Sequence, residues 1–343
     1  MKLITAYNIN DAYVSGLTTL SRYGIERGSR NGPVLVVPDP VTTHYTAPCE
    51  RVLLNKQRDA NPFFHLFEAL WMLTGAEDVA FPAYFVPRMR DFSDDGKRFH
   101  GAYGYRWRKH FNCDQLQDIV YLLKKNRDDR RVILGMWDPH TDLSADTKDI
   151  PCNISAKFDI FGDALNMAVF NRSNDIIMGC YGANVVHFSI LQEYLASMIG
   201  VEVGWYEQIS TNFHAYLGRG WDKVWPMDPA VYAEANPYDR EEAESVIVFP
   251  LVGHKDKFDY ECKTVVQEIR EHRSINSSVT ERFENQFFHI VCTPMSMAYA
   301  LYRDGLVLDA ISELDEAIEN DLEGSKIDWL IAGRNWLARR VKT

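Results

Sequence analysis

The spacing of apolar residues predicts helices in the first third of the chain. Residues 61–74 are almost continuously apolar after Asn61 and Pro62, which is typical of a buried helix with a capping asparagine and a proline in its first turn. Apolar residues recur at helical spacing over 114–125, which predicts a second, amphipathic helix. Residues 77–110 are rich in proline, glycine, aromatic residues and arginine, and favour a long segment dominated by loops.

The middle of the chain predicts a β core followed by one buried helix. Strands are predicted by apolar or alternating patterns over residues 34–37, 131–137, 154–160 and 164–170, and residues 201–213 look like another strand. Gly162 and Asp163 separate two of these runs and predict a hairpin turn. Residues 185–199 are strongly apolar and end at Gly200, which predicts a buried helix.

The pattern changes near residue 225. Beyond it, apart from a strand-like run at 246–252, amphipathic helices are predicted over 261–272, 284–303, 306–322 and 326–340. We therefore divide the chain into a core (1–225), a continuation or connection (226–260) and a helical C-terminal extension (261–343). A run of strands followed by a run of helices predicts an α+β fold.

Composition narrows the class of protein. The formal net charge is −11, and an acidic chain lacks the basic face that nucleic-acid binding needs. The chain has no apolar run near the roughly 18 residues of a membrane span and no signal-peptide core at its start, which predicts a cytoplasmic protein. The six cysteines are scattered, without a C-x-x-C pair or a histidine cluster at metal spacing. We therefore expect neither a metal site nor a disulfide framework.

Cys152 is the first candidate for chemistry. It follows a polar loop, Asp149-Ile150-Pro151, and directly precedes a predicted strand. A thiolate is the strongest nucleophile among the side chains, and arginine neighbours would lower its pKa. A buried cysteine at the entry of a strand would explain the same position.

Arginines at the ends of strands are the second candidate. Arg130 and Arg131 precede one predicted strand, and Arg172 and Ser173 follow another. The planar guanidinium fork suits phosphate oxygens, so several arginines at strand ends would form a pocket for a dianion. Any one of them could equally be a solvated surface charge.

Glu68 and Asn184 are polar residues beside apolar elements. Glu68 interrupts an apolar helix face, where burial would raise its pKa towards the range of a general acid or base. It could instead lie on the exposed edge of that helix. Asn184 closes a polar cluster at 171–184, where it could bind a ligand or cap the following helix.

Taken together, these residues resemble the thymidylate synthase and deoxycytidylate hydroxymethylase superfamily over roughly residues 20–223. The matching segments are Arg30-Asn31-Gly32, Glu68-Ala69-Leu70-Trp71, Tyr103-Gly104-Tyr105-Arg106-Trp107-Arg108, Arg130-Arg131, Pro151-Cys152-Asn153, Asn171-Arg172-Ser173-Asn174-Asp175, residues 179–184 with one extra residue, Val201-Glu202-Val203-Gly204 and His214-Ala215-Tyr216. Ordered motifs at near-family spacing are far more specific than any one of them. The resemblance therefore favours a catalytic role for Cys152.

The resemblance implies a three-layer fold with a large mixed β-sheet packed by helices, and an isologous homodimer with shared active sites. It also implies that Cys152 adds to C6 of a pyrimidine and that Tyr103 with ordered water removes the C5 proton. Glu68 would transfer protons around the ring carbonyl and the folate. The carbon donor would be 5,10-methylenetetrahydrofolate. The other implied contacts are phosphate binding by Arg30, Arg172, Ser173 and, from the partner subunit, Arg130 and Arg131, base binding by Asn184, sugar binding by His214 and Tyr216, and folate binding by Asp175 and Trp71.

Three departures from the family pattern favour hydroxymethylation over methylation. Residues 88–95 contain no tryptophan to cover the folate, and residues 338–343 are basic and polar where synthases end in an apolar tail. Asn153 replaces the family's histidine. Poor exclusion of water favours attack by water on the exocyclic methylene. Thymidylate synthase and a non-catalytic nucleotide-binding homologue are the alternatives.

The identity of the base depends on Asn184. An amide can donate to O4 and accept from N3–H, which suits uracil, whereas the family's cytosine enzymes place aspartate there. The extra residue could shift Ala183 into this position, which leaves dCMP or CMP open. The uninterrupted match from Asn184 to Tyr216 favours dUMP. Hydroxymethylases of this kind are typical of viruses with modified DNA.

Overall fold

The computed structural model describes residues 1–218, 236–239, 245–320 and 326–341. The strands are β1 Lys2–Ala6, β2 Ile25–Arg27, β3 Val34–Val37, β4 Val41–Tyr45, β5 Ile133–Gly135, β6 Asn153–Phe161, β7 Ala164–Asn171, β8 Asn174–Asp175, β9 Glu202–Ser210 and β10 Phe213–Tyr216. The α-helices are α1 Ile9–Tyr23, α2 Pro62–Leu73, α3 Ala80–Phe85, α4 Tyr103–Tyr105, α5 Gln115–Lys125, α6 Pro139–Asp142, α7 Asn184–Ile199, α8 Lys255–His272, α9 Ser277–Thr280, α10 Thr293–Arg303, α11 Val307–Glu319 and α12 Asp328–Ala338. π-Helical turns are formed by Arg106–His110, Ile176–Ala183 and Phe287–Cys292, and a 3₁₀ helix is formed by Pro87–Phe92.

The strands form a large mixed sheet and a smaller second sheet. The six-stranded sheet has the order β1-β4-β9-β7-β6-β5, in which β1 runs parallel to β4 and β7 runs parallel to β9. The four-stranded sheet has the order β2-β3-β10-β8. The predicted mixed sheet packed by helices is confirmed, and the smaller sheet was not anticipated.

The predicted strand at 201–213 is two strands in different sheets. β9 ends at Ser210 in the large sheet, and β10 begins at Phe213 in the small one. The pairing of β10 with β8 places His214 opposite Asp175. The break in the strand therefore brings two predicted ligand-binding residues together.

Helix α2 is the apolar element on which the site is built. The Asn61 side chain accepts a hydrogen bond from the Phe64 N–H, and Pro62 opens the helix, as predicted. Every residue of α2 is buried. A Cβ on Gly104 would lie 2.1 Å from the Met72 carbonyl oxygen, so only glycine allows α4 to pack this closely on the end of α2. This contact fixes the neighbouring Tyr103.

The C-terminal helices pack on the other side of α2. Phe63 of α2 contacts the rings of Tyr299 and Trp336, with centroids 5.1 and 5.5 Å apart. Buried residues of the core and of the C-terminal helices belong to one continuous hydrophobic cluster. The predicted three-part division of the chain stays a prediction, and much of 226–260 lies outside the described residues.

Some predicted elements differ from the structure. Residues 246–252 form no strand; Ile247 makes only an isolated bridge with Ile327, and Pro250 cannot donate to a ladder. The stretch at 77–110 is not simply loop, because it contains short helical turns. Residues 321–322, the end of one predicted helix, lie outside the described residues. Within the described ranges, no helix is both long and apolar enough to cross a membrane.

Candidate active site

Cys152 lies directly before the first residue of β6, beside the last residue of β7. The Cys152 carbonyl accepts a hydrogen bond from the Arg172 N–H at 2.9 Å. The Arg172 guanidinium donates to the Pro151 and Ile150 carbonyls at 2.7 and 2.9 Å, and its Nη2 lies 3.8 Å from the Cys152 Sγ. Burial raises the pKa of the Cys152 thiol, while the positive charges of Arg172 and Arg30 oppose that rise. The arginine is thus placed to stabilise a thiolate.

Tyr103 contacts the backbone of the nucleophile. Its hydroxyl oxygen accepts hydrogen bonds from the N–H groups of Cys152 and Asn153 at 2.9 and 3.1 Å. Burial raises the pKa of Tyr103, so its hydroxyl stays protonated near neutral pH. The sequence placed these residues in separate motifs, and the fold brings them together.

A chain of amide side chains extends from Cys152 to the predicted base-binding residue. Asn171 donates to the Asn153 side chain, whose Nδ2 donates in turn to Asn184 Oδ1 at 3.4 Å. Asn184 Nδ2 donates to Asn174 Oδ1 at 3.0 Å. Asn184 therefore does not cap α7, which begins after Ala183 without a side-chain cap. The simpler reading of Asn184 as a capping residue is wrong.

The segment with one extra residue is wound as wide turns. Residues 176–183 form π-helical turns with a kink at Tyr181 and Gly182, a usual way to insert a residue into a helix. A Cβ on Gly182 would lie 2.8 Å from the Ile177 carbonyl oxygen. Arg58 holds that carbonyl with Nε and Nη2 at 3.2 and 2.9 Å. Arg58 was missed, because nothing in its sequence neighbourhood distinguishes it.

Asp175 begins this segment. Its Oδ1 accepts hydrogen bonds from the Ile177 and Met178 N–H groups at 2.7 and 2.8 Å. Burial raises the pKa of Asp175, and the neighbouring His214 and Arg58 oppose the rise. The carboxyl group is therefore held rigidly at the edge of the small sheet.

Glu68 is buried, so the alternative that it lies on the exposed edge of its helix is wrong. Only 7% of Glu68 is exposed, and its Oε2 lies 2.9 Å from the Nε2 of His187 on α7. The two atoms are close without the directional geometry of a hydrogen bond. Burial and the nearby Arg58 and His187 lower the pKa of His65, one turn before Glu68, to about 3. Sequence analysis missed His187, since a single histidine in an apolar helix gives no signal.

The predicted phosphate-binding arginines divide into two groups. Arg30 lies near Cys152, where its charge opposes the rise in the thiol pKa that burial causes, and it donates to the Thr147 carbonyl at 3.1 Å. Arg130 and Arg131 lie on an exposed turn before β5, where Arg131 binds Asp129 at 2.7 Å. Within one chain, the structure gathers Arg30 and Arg172 at the nucleophile and leaves the other two on the surface.

The predicted sugar-binding residues lie on β10. The rings of His214 and Tyr216 are 5.2 Å apart, and the Tyr216 hydroxyl accepts from Asn31 Nδ2 at 3.4 Å. His214 is 5% exposed, and its Nδ1 lies 3.2 Å from the Asn212 carbonyl oxygen. Asn31 belongs to the same short segment as Arg30, so the small sheet connects the sugar and phosphate candidates.

Trp71 is buried, and its indole N–H donates to Asp78 Oδ2 at 3.0 Å. The same carboxylate oxygen pairs with Arg270 of α8 at 2.7 Å. These contacts join α2 to a C-terminal helix, and the folate contact of Trp71 stays a prediction. Among the described residues, no three histidine, cysteine, aspartate or glutamate side chains converge as metal ligands.

Comparison with known proteins agrees with this geometry. The thymidylate synthase family model matches residues 13–273. The deoxyuridylate hydroxymethyltransferase of Pseudomonas phage M6 is 45% identical over 341 residues, which cover 99% of this chain and 95% of that protein. The deoxyuridylate hydroxymethyltransferase of Bacillus phage SP01 is 33% identical over 268 residues, covering 75% of this chain and 70% of that protein. The thymidylate synthase of equine herpesvirus 2 is 26% identical over 257 residues, covering 66% and 85%.

The chain belongs to the thymidylate synthase family. It is an enzyme that transfers a one-carbon unit to C5 of a pyrimidine nucleotide, and the family's co-substrate is methylenetetrahydrofolate. The family predicted from the ordered motifs is confirmed. The match extends through α8, beyond the region in which motifs were found.

Proposed function

We propose that this enzyme converts dUMP to 5-hydroxymethyl-dUMP with methylenetetrahydrofolate as carbon donor. The observation that supports this proposal most directly is the orientation of the Asn184 side chain. Its amide gives one N–H to Asn174 and accepts one from Asn153, which leaves one N–H and one lone pair for a ligand. That pair complements O4 and N3–H of uracil. Two relatives matched over most of their length carry the name deoxyuridylate hydroxymethyltransferase, which supports this assignment.

The first step is addition of the Cys152 thiolate to C6 of the uracil ring. This addition makes C5 nucleophilic, so one difficult substitution is divided into easier steps. Arg172, with its Nη2 3.8 Å from the sulfur, stabilises the thiolate and would also bind the phosphate, together with Arg30 and Ser173. His214 and Tyr216 would hold the sugar hydroxyl.

The folate supplies a carbon at the oxidation level of formaldehyde. A half-buried carboxyl group such as Asp175 fits this donor, because its oxygens can accept hydrogen bonds from the N–H groups of a pterin ring. Tyr103 would assist removal of the C5 proton, and Glu68 would manage protons around the ring.

The fate of the new carbon depends on access of water. Residues 88–95 provide no aromatic cover: Phe92 is 45% exposed and tryptophan is absent from this stretch. Near the C-terminus, Arg339 and Arg340 do not form an apolar cover either, because each is paired with Asp59 at 2.8 Å. These features support attack by water on the exocyclic methylene, which yields a hydroxymethyl group and tetrahydrofolate.

The test is incubation with methylenetetrahydrofolate and dUMP, dCMP or CMP in separate reactions. We expect conversion of dUMP to a product one oxygen heavier than thymidylate, without the absorbance change of dihydrofolate formation. Stoichiometric dihydrofolate together with thymidylate would identify a thymidylate synthase instead. Conversion of a cytidine nucleotide in preference to dUMP would overturn the assignment of Asn184, and no conversion of any nucleotide would favour a binding protein.

We also infer a homodimer in which the exposed Arg130 and Arg131 complete the phosphate pocket of the partner subunit. Mixed dimers test this. Arg131→Ala chains should be impaired at low dUMP concentration and Cys152→Ser chains inactive, and a mixture should recover activity, because one site then receives both intact halves. Failure of the mixture to recover activity would overturn the shared site.

Since both named hydroxymethyltransferase relatives above belong to phages, we further infer that the enzyme acts in the cytoplasm of an infected cell.

A further inference from the structure

Glu68 and His187 form a buried pair that the family motifs do not include as a unit. We propose that His187 is a positioning residue that acts through Glu68 to accept the proton released by the attacking water, an inference that rests on the proposed hydroxymethylation. Asn153, Asn184 and the pair would then lie along one path from the nucleophile to the proton acceptor.

The pair is closely packed and incompletely satisfied. His187 is 5% and Glu68 7% exposed, and Nε2 lies 2.9 Å from Oε2. Among the described residues, neither ring nitrogen of His187 nor Oε2 of Glu68 has a hydrogen-bond partner. Leaving a buried polar group without a partner is unfavourable, so such a group calls for a specific reason. A proton shared between Nε2 and Oε2 would satisfy those two atoms, and a bound water could satisfy Nδ1 on the other side of the ring.

The pair faces the base-binding residue. His187 follows Asn184 by three residues on α7, and residues at this spacing lie on the same face of a helix. Asn184 in turn contacts Asn153, the neighbour of Cys152. A water beside Glu68 would therefore be near a methylene carbon on the base that Asn184 holds.

The surroundings favour a single proton in this cluster. His65 lies three residues before Glu68 on α2, and Arg58 lies close enough to influence His65. His65 stays neutral because its pKa is lowered to about 3, whereas the positive charge of Arg58 would oppose further protonation. An imidazole next to a carboxylate can accept one proton and form an ion pair, which stabilises the charge created when water is deprotonated.

The step balances without an oxidant or reductant. The water oxygen forms a bond to the methylene carbon, and the methylene π electrons move to the O4 carbonyl. One water proton passes to Glu68 and is shared with His187. The electrons then return to form the C5–C6 double bond, the C6–S bond breaks, and Cys152 leaves as a thiolate that can recover the proton. Methylation requires no deprotonated water, so His187 would serve the hydroxymethyl outcome specifically.

The test separates C5 deprotonation from product formation. With dUMP tritiated at C5, release of tritium reports the steps before water attack, and mass measurement reports the hydroxymethyl product. With enzyme in excess, so that each site turns over once, we expect H187Q to release tritium at near wild-type rate while the rate of product formation falls at least tenfold. An added thiol should then trap the methylene as a heavier thioether product.

Glutamine is the informative replacement because it keeps polarity and approximate size but cannot accept the proton. A wild-type ratio of product to tritium in H187Q would overturn the proposal, as would an equal fall in both quantities. H187N serves the same comparison if H187Q does not fold. H254Q, which alters a partly exposed histidine on another element, should leave the ratio unchanged. Thymidylate and dihydrofolate from the wild-type enzyme would instead refute the proposed function itself.

Discussion

Two of the regions that bury carboxylates satisfy them differently. The first is the seam, which we define by Arg51, Glu193 and Asp328, where the loop after β4 and helix α7 meet the C-terminal part. There Glu193 pairs with Arg51 through Oε2 and accepts from the Leu251 N–H at 2.8 Å through Oε1. Asp328 accepts from the Tyr238 hydroxyl and the Trp329 N–H, both at 2.8 Å. Every carboxylate oxygen at the seam has a partner.

The second region is the site, where Glu68 Oε2 and its neighbour His187 lack hydrogen bonds among the described residues. Complete satisfaction rigidifies a buried network, whereas an unsatisfied buried group needs a ligand, a water or a catalytic role. Burial alone therefore does not identify function. We expect changes at the site to alter turnover and changes at the seam to alter stability.

The largest effect is expected at the nucleophile. Cys152→Ser should abolish turnover, since an alcohol at this position cannot replace the thiolate, while nucleotide binding and the unfolding transition remain near those of the wild type. Activity assays, calorimetric titration with dUMP and thermal denaturation measure the three quantities. Near-normal product formation by the variant would contradict covalent catalysis.

Glu193→Gln should lower stability and leave the chemistry at Cys152 intact. The substitution leaves Arg51 buried without a counter-charge, and breaking a buried ion pair costs about 3–5 kcal/mol of unfolding free energy. Chemical denaturation measures this loss. Asp163→Asn is the matched control, because its pair with Arg127 is largely exposed and is worth about 1 kcal/mol or less. Equal losses in the two variants would remove the distinction between the seam and an ordinary surface pair.

Asp328 gives the seam a dependence on pH. Burial raises its pKa from 3.8 to about 7, so the folded protein binds a proton that the unfolded chain has already released. The resulting cost is absent below about pH 4, grows as the pH rises and is complete above about pH 7, where it amounts to a few kcal/mol. Asp328→Asn cannot ionise and should therefore gain stability relative to the wild type over this range. A difference in unfolding free energy that is the same at pH 5 and pH 8 would disprove this account.

The smallest of the four effects is expected at Arg172. Arg172→Ala should weaken dUMP binding by about 2 kcal/mol, because a charge-assisted contact with the phosphate is lost. Binding of deoxyuridine, which has no phosphate, should hardly change, and this nucleoside is the control. If the wild type binds the nucleotide and the nucleoside equally well, the phosphate pocket assigned to Arg30 and Arg172 does not exist.

The sequence predicted those parts of the molecule that depend on local pattern. Helices α2 and α7 and the hairpin at Gly162 follow from capping, apolar runs and turn residues, and the ordered motifs identified the family. Helix α1 was not predicted, because Gly16 and several residues of low helix propensity weaken its signal. The break after Ser210 was also hidden, since only Thr211 and Asn212 separate the two strands and neither is a glycine or a proline.

His187 and Arg58 could not be found from local pattern for a different reason. Each acts on a residue far away in the chain: His187 contacts Glu68, and Arg58 holds the Ile177 carbonyl. Such partners depend on how α2, α7 and the segment at 176–183 pack together. The prediction of roles from motifs therefore stops at the residues that the motifs contain.

The hydrogen bonds at Tyr103 impose a direction on proton movement. A phenolic oxygen has two lone pairs and one hydrogen, and both lone pairs here face N–H groups of Cys152 and Asn153. The hydroxyl can therefore give a hydrogen bond outwards but has no site left to receive one. A proton leaving C5 would have to travel through a water that Tyr103 orients, unless the backbone of the nucleophile first moves away. Tyr103 can then act as a hydrogen-bond donor to that water but not as its base, as long as the Cys152 and Asn153 N–H groups occupy its lone pairs.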